Sequence, residues 1–265
     1  MNGIILELQD CNYPNLHSVT SHTDANEAFK NADLIIFLGG YPRKPGMERK
    51  DLLSINGKIF TSQAEALQYA NPNVKCLIIA NPCNTNAKIL YEGIKKFKLN
   101  IKKENITCLS RLDQNRARSL FKQMYNNKNA DNVFIWGNHS SSCVPDIMCD
   151  DSDKEKINEE FVMKVQQRGS EILTIKGMSS VFSAAKAICD HLRDWCYGNS
   201  GNVVSMGVIS NGEYDIKEGL VCSMPCKCNG NWEYNIIQGL HISNDIKCKL
   251  DISIKELQDE ANDII

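Results

Sequence analysis

Two continuous apolar runs in the first third of the chain predict buried strands. Residues 34–38 are followed by two glycines, and residues 74–80 are followed by Asn81 and Pro82. Apolar runs of this length without polar alternation are typical of parallel strands that are buried on both faces. A helical pattern at residues 56–69 lies between the runs, so this segment predicts a βαβ unit. Ligands of such units bind beyond the carboxyl ends of the strands, which makes residues 39–49 and 81–84 candidates for a site.

The later part of the chain changes from alternating strands and helices to helices followed by strands. Short apolar segments at 106–109 and 132–136 predict a third and a fourth strand, with a helix containing residues 116–124 between them. Apolar residues at helical spacing predict two more helices, at 155–173 and 179–195, each with its apolar face toward the core. In the second helix the aligned residues are Val181, Phe182, Ala185, Ile188 and Leu192.

Residues 203–265 predict an antiparallel meander and a terminal helix. Its three strands are expected at 203–209, 220–226 and 232–237, with Asn229-Gly230 as the turn signal, and a polar-faced helix from about Ser253 follows. The order of elements predicts an α/β region at 1–109 followed by an α+β region at 110–265. With 265 residues, the chain has enough material for one large domain or two modest ones.

Charge and composition narrow the classes of function. The chain carries 30 Lys and Arg against 32 Asp and Glu, a net charge of -2, so nothing favours a nucleic-acid backbone as partner. Its apolar stretches fall far short of the roughly 20 residues that a membrane span needs. The first eight residues include an acid, Glu7, and no basic cluster, so we expect the cytosol rather than a secreted or organellar protein.

The twelve cysteines are scattered through apolar patterns rather than spaced as a disulfide framework. Reduced, buried thiols explain this distribution best. The one cluster, Cys222, Cys226 and Cys228, lacks the paired spacing of a zinc site, so we expect no metal.

Three short segments carry candidate chemistry, and each has an ordinary explanation when taken alone. A Pro- and Gly-rich loop at 42–49 bears Arg43 and Arg49, which suit a bound anion but also suit a solvated basic loop. Asp113 and Arg116 begin a helix three residues apart, which fits either a site or a surface ion pair. His139 follows a buried strand at a loop mouth, where an imidazole acts as acid or base near neutral pH, although many loop histidines have no such role.

In order and spacing these segments resemble the malate dehydrogenases, specifically the cytosolic type, of the lactate/malate dehydrogenase family. Seven blocks in register carry the resemblance over nearly the whole chain. They are ELQDC at 7–11, GMERKDLL at 46–53, NPCNTN at 81–86, LDQNRA at 112–117, WGNHSS at 136–141, VQQRG at 165–169 and SAAKAICDH at 183–191. The resemblance implies a Rossmann-type domain, NAD as cofactor, malate and oxaloacetate as substrates, and a homodimer.

The resemblance also implies roles for single residues in hydride exchange between nicotinamide and C2 of malate. His139 would carry the hydroxyl proton, and Asp113 would orient the imidazole and favour its charged form. Arg116 would clamp the carboxylate beside the reacting carbon, and Arg49 would polarise the carbonyl oxygen. Arg43 would pair the second carboxylate of a four-carbon diacid, which separates malate from lactate.

The resemblance implies less specific roles for further residues. Asn81 would contact both substrate and the nicotinamide ribose, Asn56 and Gln63 match cofactor-contacting positions, and Ser179 would line the substrate pocket. His191 is expected to be structural or to lie at a subunit contact. A helix at 2–10, with Ile4, Ile5 and Leu8 on one side, would belong to the interface of the homodimer.

The amino end departs from the family pattern. Family members begin with a strand, a glycine-rich turn and a second strand that ends in a ribose-binding acid, and none of these occurs here, a difference of about 45 residues. In the strand order 3-2-1-4-5-6 the two missing strands lie in the middle of the sheet. We therefore expect the strand at 34–38 to become an exposed edge, and a short strand near 17–23 to lack neighbours.

Two interpretations of this departure remain open. The first is an incomplete sequence of a working malate dehydrogenase, which the joint presence of Arg43, Arg49, Asp113, Arg116 and His139 favours. The second is a shortened, noncatalytic homologue that dimerises or binds dicarboxylates. A reductase for another 2-oxo diacid, or a lactate enzyme, is a further alternative, and Arg43 argues against the lactate enzyme.

Overall fold

The computed structural model describes residues 2–41, 49–126, 128–148 and 156–263. Its helices and strands in chain order are α1 (Asn2–Asp10), α2 (Ala25–Phe29), β1 (Leu34–Phe37), α3 (Arg49–Ala66), β2 (Lys75–Ile78), α4 (Cys83–Lys96), β3 (Ile106–Cys108), α5 (Arg111–Tyr125), β4 (Val133–Trp136), β5 (Val144–Ile147), α6 (Glu159–Lys176), α7 (Phe182–Tyr197), β6 (Val204–Ile209), β7 (Val221–Gly230), β8 (Glu233–Ile236) and α8 (Asn244–Asn262).

One six-stranded sheet runs through both predicted regions in the order β1-β2-β3-β6-β7-β8. Strands β1, β2 and β3 are parallel, while β6, β7 and β8 form the predicted antiparallel meander. The two halves join where β3 meets β6 antiparallel, with Cys108 opposite Gly207. A Cβ atom on Gly207 would lie 2.0 Å from Cys108 Sγ, so a residue without a side chain is needed for this close approach. Strands β4 and β5 form a separate hairpin.

Strand β1 lies at the edge of the sheet, as the sequence predicts for a chain without the two central strands. Ile35 and Phe37 are buried, but Ile36 is 41% exposed and Leu38 just beyond the strand is 65% exposed. The expectation from the apolar run alone, burial on both faces, is wrong for this strand because nothing among the described residues covers its outer face. Residues 17–23 form no strand and are largely exposed.

The last two elements differ in detail from the sequence prediction. The turn between β7 and β8 is Asn231-Trp232, both with positive φ (54° and 64°), and not Asn229-Gly230, because β7 continues pairing as far as Gly230. Two successive positive φ angles match the right-handed twist of a two-residue hairpin.

The terminal helix α8 begins nine residues before the predicted start at Ser253. Ser243 caps it by accepting a hydrogen bond from Ile246 N–H at 3.3 Å. The helix is also less polar than predicted, because Ile246, Leu250 and Leu257 are buried on one face.

Helices α6 and α7 form where the apolar spacing predicts them, but much of their apolar surface is exposed. In α6 the buried residues are Phe161, Val162 and Val165. At the start of α7, Val181, Phe182 and Ala185 are exposed, with Phe182 at 85%, so the prediction that this face points to the core is wrong there. Apolar spacing marks a face that avoids water, and it does not say whether the same chain or another surface covers that face.

Two hydrophobic cores flank the junction between β3 and β6. One packs around β1, β2 and α4, and the other around β4, β6, β7 and α8. The described cysteines are free thiols, and most of them are buried in these cores. Within the described ranges, no helix combines the length and the apolar character that crossing a bilayer requires.

Candidate active site

The centre of the site is a contact between His139, on the turn after β4, and Asp113, in the first turn of α5. His139 Nδ1 and Asp113 Oδ2 are 2.5 Å apart, and the two side chains are 15% and 6% exposed. The amino end of a helix favours a carboxylate, because unpaired backbone N–H groups point toward it. The sequence therefore places a stable anion where the imidazole needs a partner.

The local sequence explains why the chain turns at this point. Gly137 has a φ of +88°, a conformation that favours glycine. Its backbone pairs with that of Ser223 on β7, with N–H to O distances of 3.1 and 2.8 Å. His139 N–H then donates to Asn84 Oδ1 at 3.0 Å. The turn is thus held on both sides, which leaves the imidazole directed at Asp113.

The surroundings of His139 keep its imidazole charged at neutral pH. Burial alone would lower its pKa, but the Asp113 carboxylate, with a smaller contribution from Cys83, outweighs that effect and raises the pKa of His139 to about 9. Arg116 opposes the rise. Since Nδ1 faces Asp113, Nε2 is the ring nitrogen left to exchange a proton with a bound molecule.

Arg116 lies beside this pair on the same helix. Its Nη1 atom is 3.2 Å from Asp113 Oδ1, and its Nη2 atom donates to Ser180 Oγ at 3.1 Å. The Arg116 and Asp113 side chains are 14% and 6% exposed, so this is not the solvated surface pair that the spacing alone allowed. Across from it, a Cβ atom on Gly169 of α6 would lie 3.4 Å from Nη1, so the glycine leaves the guanidinium face uncrowded.

Two of the predicted cofactor residues, Asn56 and Asn81, lie at the carboxyl ends of β1 and β2. Asn56 is fully buried, accepts from Tyr41 N–H at 2.8 Å and lies 3.5 Å from Asn81 O, so it ties the loop after β1 to the loop after β2. Asn81 itself is exposed. Gln63 has a buried Oε1 atom that finds no hydrogen-bond partner among the described residues.

Of three further predicted substrate residues, the structure describes the side chain of one, Ser179. Arg43 lies outside the described residues, and Arg49 is the first residue of α3 but its side chain is likewise outside them. Ser179 is exposed, while the next residue, Ser180, is the one bonded to Arg116. Sequence reasoning missed Ser180, and the only available signal was that two serines stand side by side.

His191 lies outside this centre. His191 is buried, with Nε2 3.1 Å from Thr107 Oγ1, and burial followed by the Arg111 charge lowers its pKa to about 3. A neutral imidazole in a core is consistent with the structural role that the sequence predicts.

No group of three or more His, Cys, Asp or Glu with the arrangement of a metal site occurs in the part of the chain that the structure describes.

Comparisons with known proteins agree on one family over the whole chain. The model of the lactate/malate dehydrogenase NAD binding domain matches residues 1–106, and that of the lactate/malate dehydrogenase alpha/beta C-terminal domain matches residues 110–265. The cytoplasmic malate dehydrogenase of Zea mays is 44% identical over 278 residues, covering 98% of this chain and 82% of the maize protein.

Solved structures of malate and lactate dehydrogenases superpose on nearly the whole chain. The crystal structure of malate dehydrogenase from Naegleria fowleri superposes with a TM-score of 0.92 at 39% identity, covering 99% of this chain and 83% of the other. The lactate dehydrogenase of Trichomonas vaginalis, in complex with NADH and oxamate, gives a TM-score of 0.87 at 33% identity, with coverage of 98% and 83%.

Proposed function

Because the chain belongs to the lactate/malate dehydrogenase family, we propose that it is an NAD-dependent malate dehydrogenase that interconverts malate and oxaloacetate. The observation that carries the proposal is the buried His139–Asp113 pair with Arg116 beside it. A proton carrier, its orienting carboxylate and a carboxylate clamp are the groups that oxidation of a 2-hydroxy acid needs. The relatives of high identity are named malate dehydrogenases.

His139 moves the proton in this reaction. In malate oxidation the neutral imidazole accepts the C2 hydroxyl proton at Nε2, and in oxaloacetate reduction the protonated ring returns it to the carbonyl oxygen. When bound, NAD would supply the reversible hydride chemistry at C2, and Asn81 and Asn56 would hold its nicotinamide end. Asp113 stabilises the charged imidazole, so the resting enzyme at neutral pH is in the form that reduces oxaloacetate.

Arg116 holds the substrate carboxylate next to the reacting carbon. Its Asp113 and Ser180 contacts fix the guanidinium plane, and a planar fork binds a carboxylate through two parallel hydrogen bonds. Arg49 polarises the carbonyl oxygen and Ser179 lines the pocket in this proposal. Arg43 pairs the second carboxylate, and burying that anion without a cation would be costly.

The residues around Asn81 fit the nicotinamide end of the cofactor. Gln63 presents a buried oxygen that lacks a partner among the described residues, and a donor group of the cofactor would satisfy it. Asn81 is exposed at the carboxyl end of β2, and Asn56 supports the loop that carries it. The glycine spacing G-x-G-x-x-G that binds a pyrophosphate does not occur in the 265 residues, so Asn81 and Asn56 describe the nicotinamide end alone.

A homodimer in the cytoplasm completes the proposal. The name of the maize relative supports the compartment. Helix α1 has no buried residue, and Ile4 on it is 63% exposed, which supports a second subunit as its cover. Apolar surface at the start of α7, where Phe182 is 85% exposed, supports the same assembly.

The test is NADH oxidation in the presence of oxaloacetate, measured first with the 265-residue chain and then with a family member's glycine-rich segment joined before Met1. We expect His139→Asn to lower turnover by about 10²- to 10⁴-fold without a comparable loss of NADH affinity. His241→Asn changes an exposed histidine and serves as the matched control. Faster reduction of pyruvate than of oxaloacetate would indicate a lactate enzyme, and no turnover in either form of the protein would contradict the proposal.

A further inference from the structure

Helix α8 holds the turn that carries His139 through a row of side chains on one face. Ser253 Oγ accepts from Asn138 N–H at 2.8 Å, and Glu256 Oε2 accepts from Ser140 Oγ at 2.7 Å. One turn further, Glu260 Oε1 accepts from Asn138 Nδ2 at 3.1 Å. Residues 253, 256 and 260 are three and four positions apart, so all of them face the turn.

The approach of α8 to this turn is so close that it requires a glycine. A Cβ atom on Gly137 would lie 2.3 Å from Ser253 Oγ, well inside any contact distance. Gly137 also has a φ of +88°, which side-chain-bearing residues rarely adopt. Both properties indicate that the position of α8 against the turn is closely constrained.

Helix α4 holds the same turn from the other side through two consecutive residues. Asn84 is fully buried; its Oδ1 atom accepts from His139 N–H at 3.0 Å, and its Nδ2 atom donates to Val221 O at 3.2 Å. Thr85 Oγ1 donates to Glu260 Oε2. Glu260, 3% exposed, therefore joins α4 to Asn138, while Asn84 joins α4 directly to His139.

We propose that Asn84 and Glu260 are positioning residues for His139: together with Thr85 they clamp its turn between α4 and α8 and so set the distance from the imidazole to Asp113 and to the substrate. The inference rests on the proposed function. A buried carboxylate and a buried amide each cost free energy unless their hydrogen bonds are made, so the clamp has one satisfied geometry rather than several. A fixed turn keeps the imidazole in the single orientation that proton transfer needs.

The consequence is measurable at His139 itself, without any assay of turnover. The titratable and charged groups that face its imidazole are Asp113 and Arg116 on α5 and Cys83 on α4. Attraction between charges falls with distance, so an imidazole that drifts from Asp113 loses part of the interaction that raises its pKa. A residue that only stabilised the fold would change the melting temperature and leave this pKa unaltered in the folded protein.

The experiment is a pH titration of the histidine imidazole resonances by NMR in the 265-residue chain, with the His139 signal assigned from its loss in His139→Gln. Asn84→Ala removes the direct contact, and Thr85→Val removes the hydroxyl that reaches Glu260 at nearly constant shape and charge. We expect the pKa of His139 to fall by about 1 in Asn84→Ala and by less in Thr85→Val. In an active form of the protein, kcat should fall by about tenfold while the KM for NADH stays near that of the parent.

Two matched controls accompany these variants. Thr85→Ser keeps the hydroxyl, and Asp259→Asn removes an exposed carboxylate next to Glu260; both should keep the parent pKa of His139. If Asn84→Ala does not fold, the Thr85→Val and Thr85→Ser pair decides, because equal pKa values in the two would overturn the proposal. If the variants change the pKa of His139 but the parent enzyme reduces no oxaloacetate, the proposed function fails while the positioning of the imidazole stands.

Discussion

At the scale of single residues, the chemistry of the site depends on one carboxylate with two partners. Asp113 faces His139 through Oδ2 and Arg116 through Oδ1, so the same group sets the charge of the proton carrier and the orientation of the clamp. All three side chains are largely buried, where charges interact more strongly than in water. A change at Asp113 should therefore be seen both in the pKa of His139 and in stability.

Asp113→Asn should lower the pKa of His139 from about 9 toward its usual value of 6.5. A pKa that is higher in the folded than in the unfolded protein contributes stability. This contribution is complete below the unfolded-state pKa and is lost as the pH rises through the folded-state pKa. The unfolding free energy of the variant should therefore fall short of the parent's by about 3 kcal/mol more at pH 6 than at pH 10. Urea denaturation across this range measures the difference. A gap that stays constant with pH would show that the Asp113 charge does not act on His139.

Arg43 determines the preference for a diacid in the proposed function. Arg43→Gln should weaken oxaloacetate reduction by about 10²-fold or more and leave pyruvate reduction little changed, because only the diacid loses a partner for its second carboxylate. The ratio of kcat/KM for the two substrates is the measurement. Lys44→Gln removes the neighbouring cation and is the matched control. Equal losses on both substrates would assign the discrimination to another residue.

At the scale of elements, the turn after β4 is shaped by the helix packed against it. Gly137 combines a positive φ with a Cβ position that Ser253 already occupies, so the turn and α8 are compatible only with glycine. The preceding strand is fully buried, which fixes where the turn starts. Strand, glycine and helix together fix the path of the chain on either side of His139.

Gly137→Ala should destabilise the protein by about 2–4 kcal/mol, the sum of backbone strain and displacement of α8. Gly177→Ala separates the two causes, because Gly177 has a similar φ of +73° but open space around its Cβ position. That control should cost only about 1 kcal/mol. Thermal or denaturant unfolding measures both, and similar losses in the two variants would show that the close approach to Ser253 contributes nothing.

At the scale of the whole molecule, one sheet joins two cores, and apolar surface remains on its outside. The edge strand β1, helix α1 and the start of α7 all expose large apolar side chains. Exposed apolar surface of this extent marks a place where another surface packs. For α1 and α7 we propose the second subunit of a homodimer.

Sedimentation velocity at micromolar concentration tests the homodimer. We expect the parent to sediment as a dimer and Ile4→Asp to shift it toward monomer, because a charge buried at the interface lacks a partner. Ile252→Asp is the matched control, since Ile252 on α8 is exposed to a similar degree, 66% against 63% for Ile4. A monomeric parent, or equal behaviour of the two variants, would contradict the assignment of α1 to the interface.

The sequence by itself determined the family and most of the strands and helices, because those depend on local information, although it missed β5 and α4 and predicted a strand near 17–23 that does not form. Strands and helices are predicted by patterns within a few neighbouring residues: the apolar runs at 34–38 and 74–80, and the helical spacing in α6 and α7. The family is predicted by the blocks around Asp113 and His139, whose order is specific to it. The position of β1 at the sheet edge also followed, since it depends only on which strands the chain contains.

Only the tertiary structure decided how distant segments meet. The pairing of Cys108 with Gly207, the contact of Ser180 with Arg116 and the bonds from Asn84 to His139 and from Thr85 to Glu260 join residues that are 55 to 175 positions apart. No local period encodes such contacts, because each one depends on two surfaces whose shapes arise separately and fit only when the cores close. The same reason explains why the spacing at the start of α7 predicts a buried face that is exposed in the structure: spacing identifies an apolar face but not the surface that covers it.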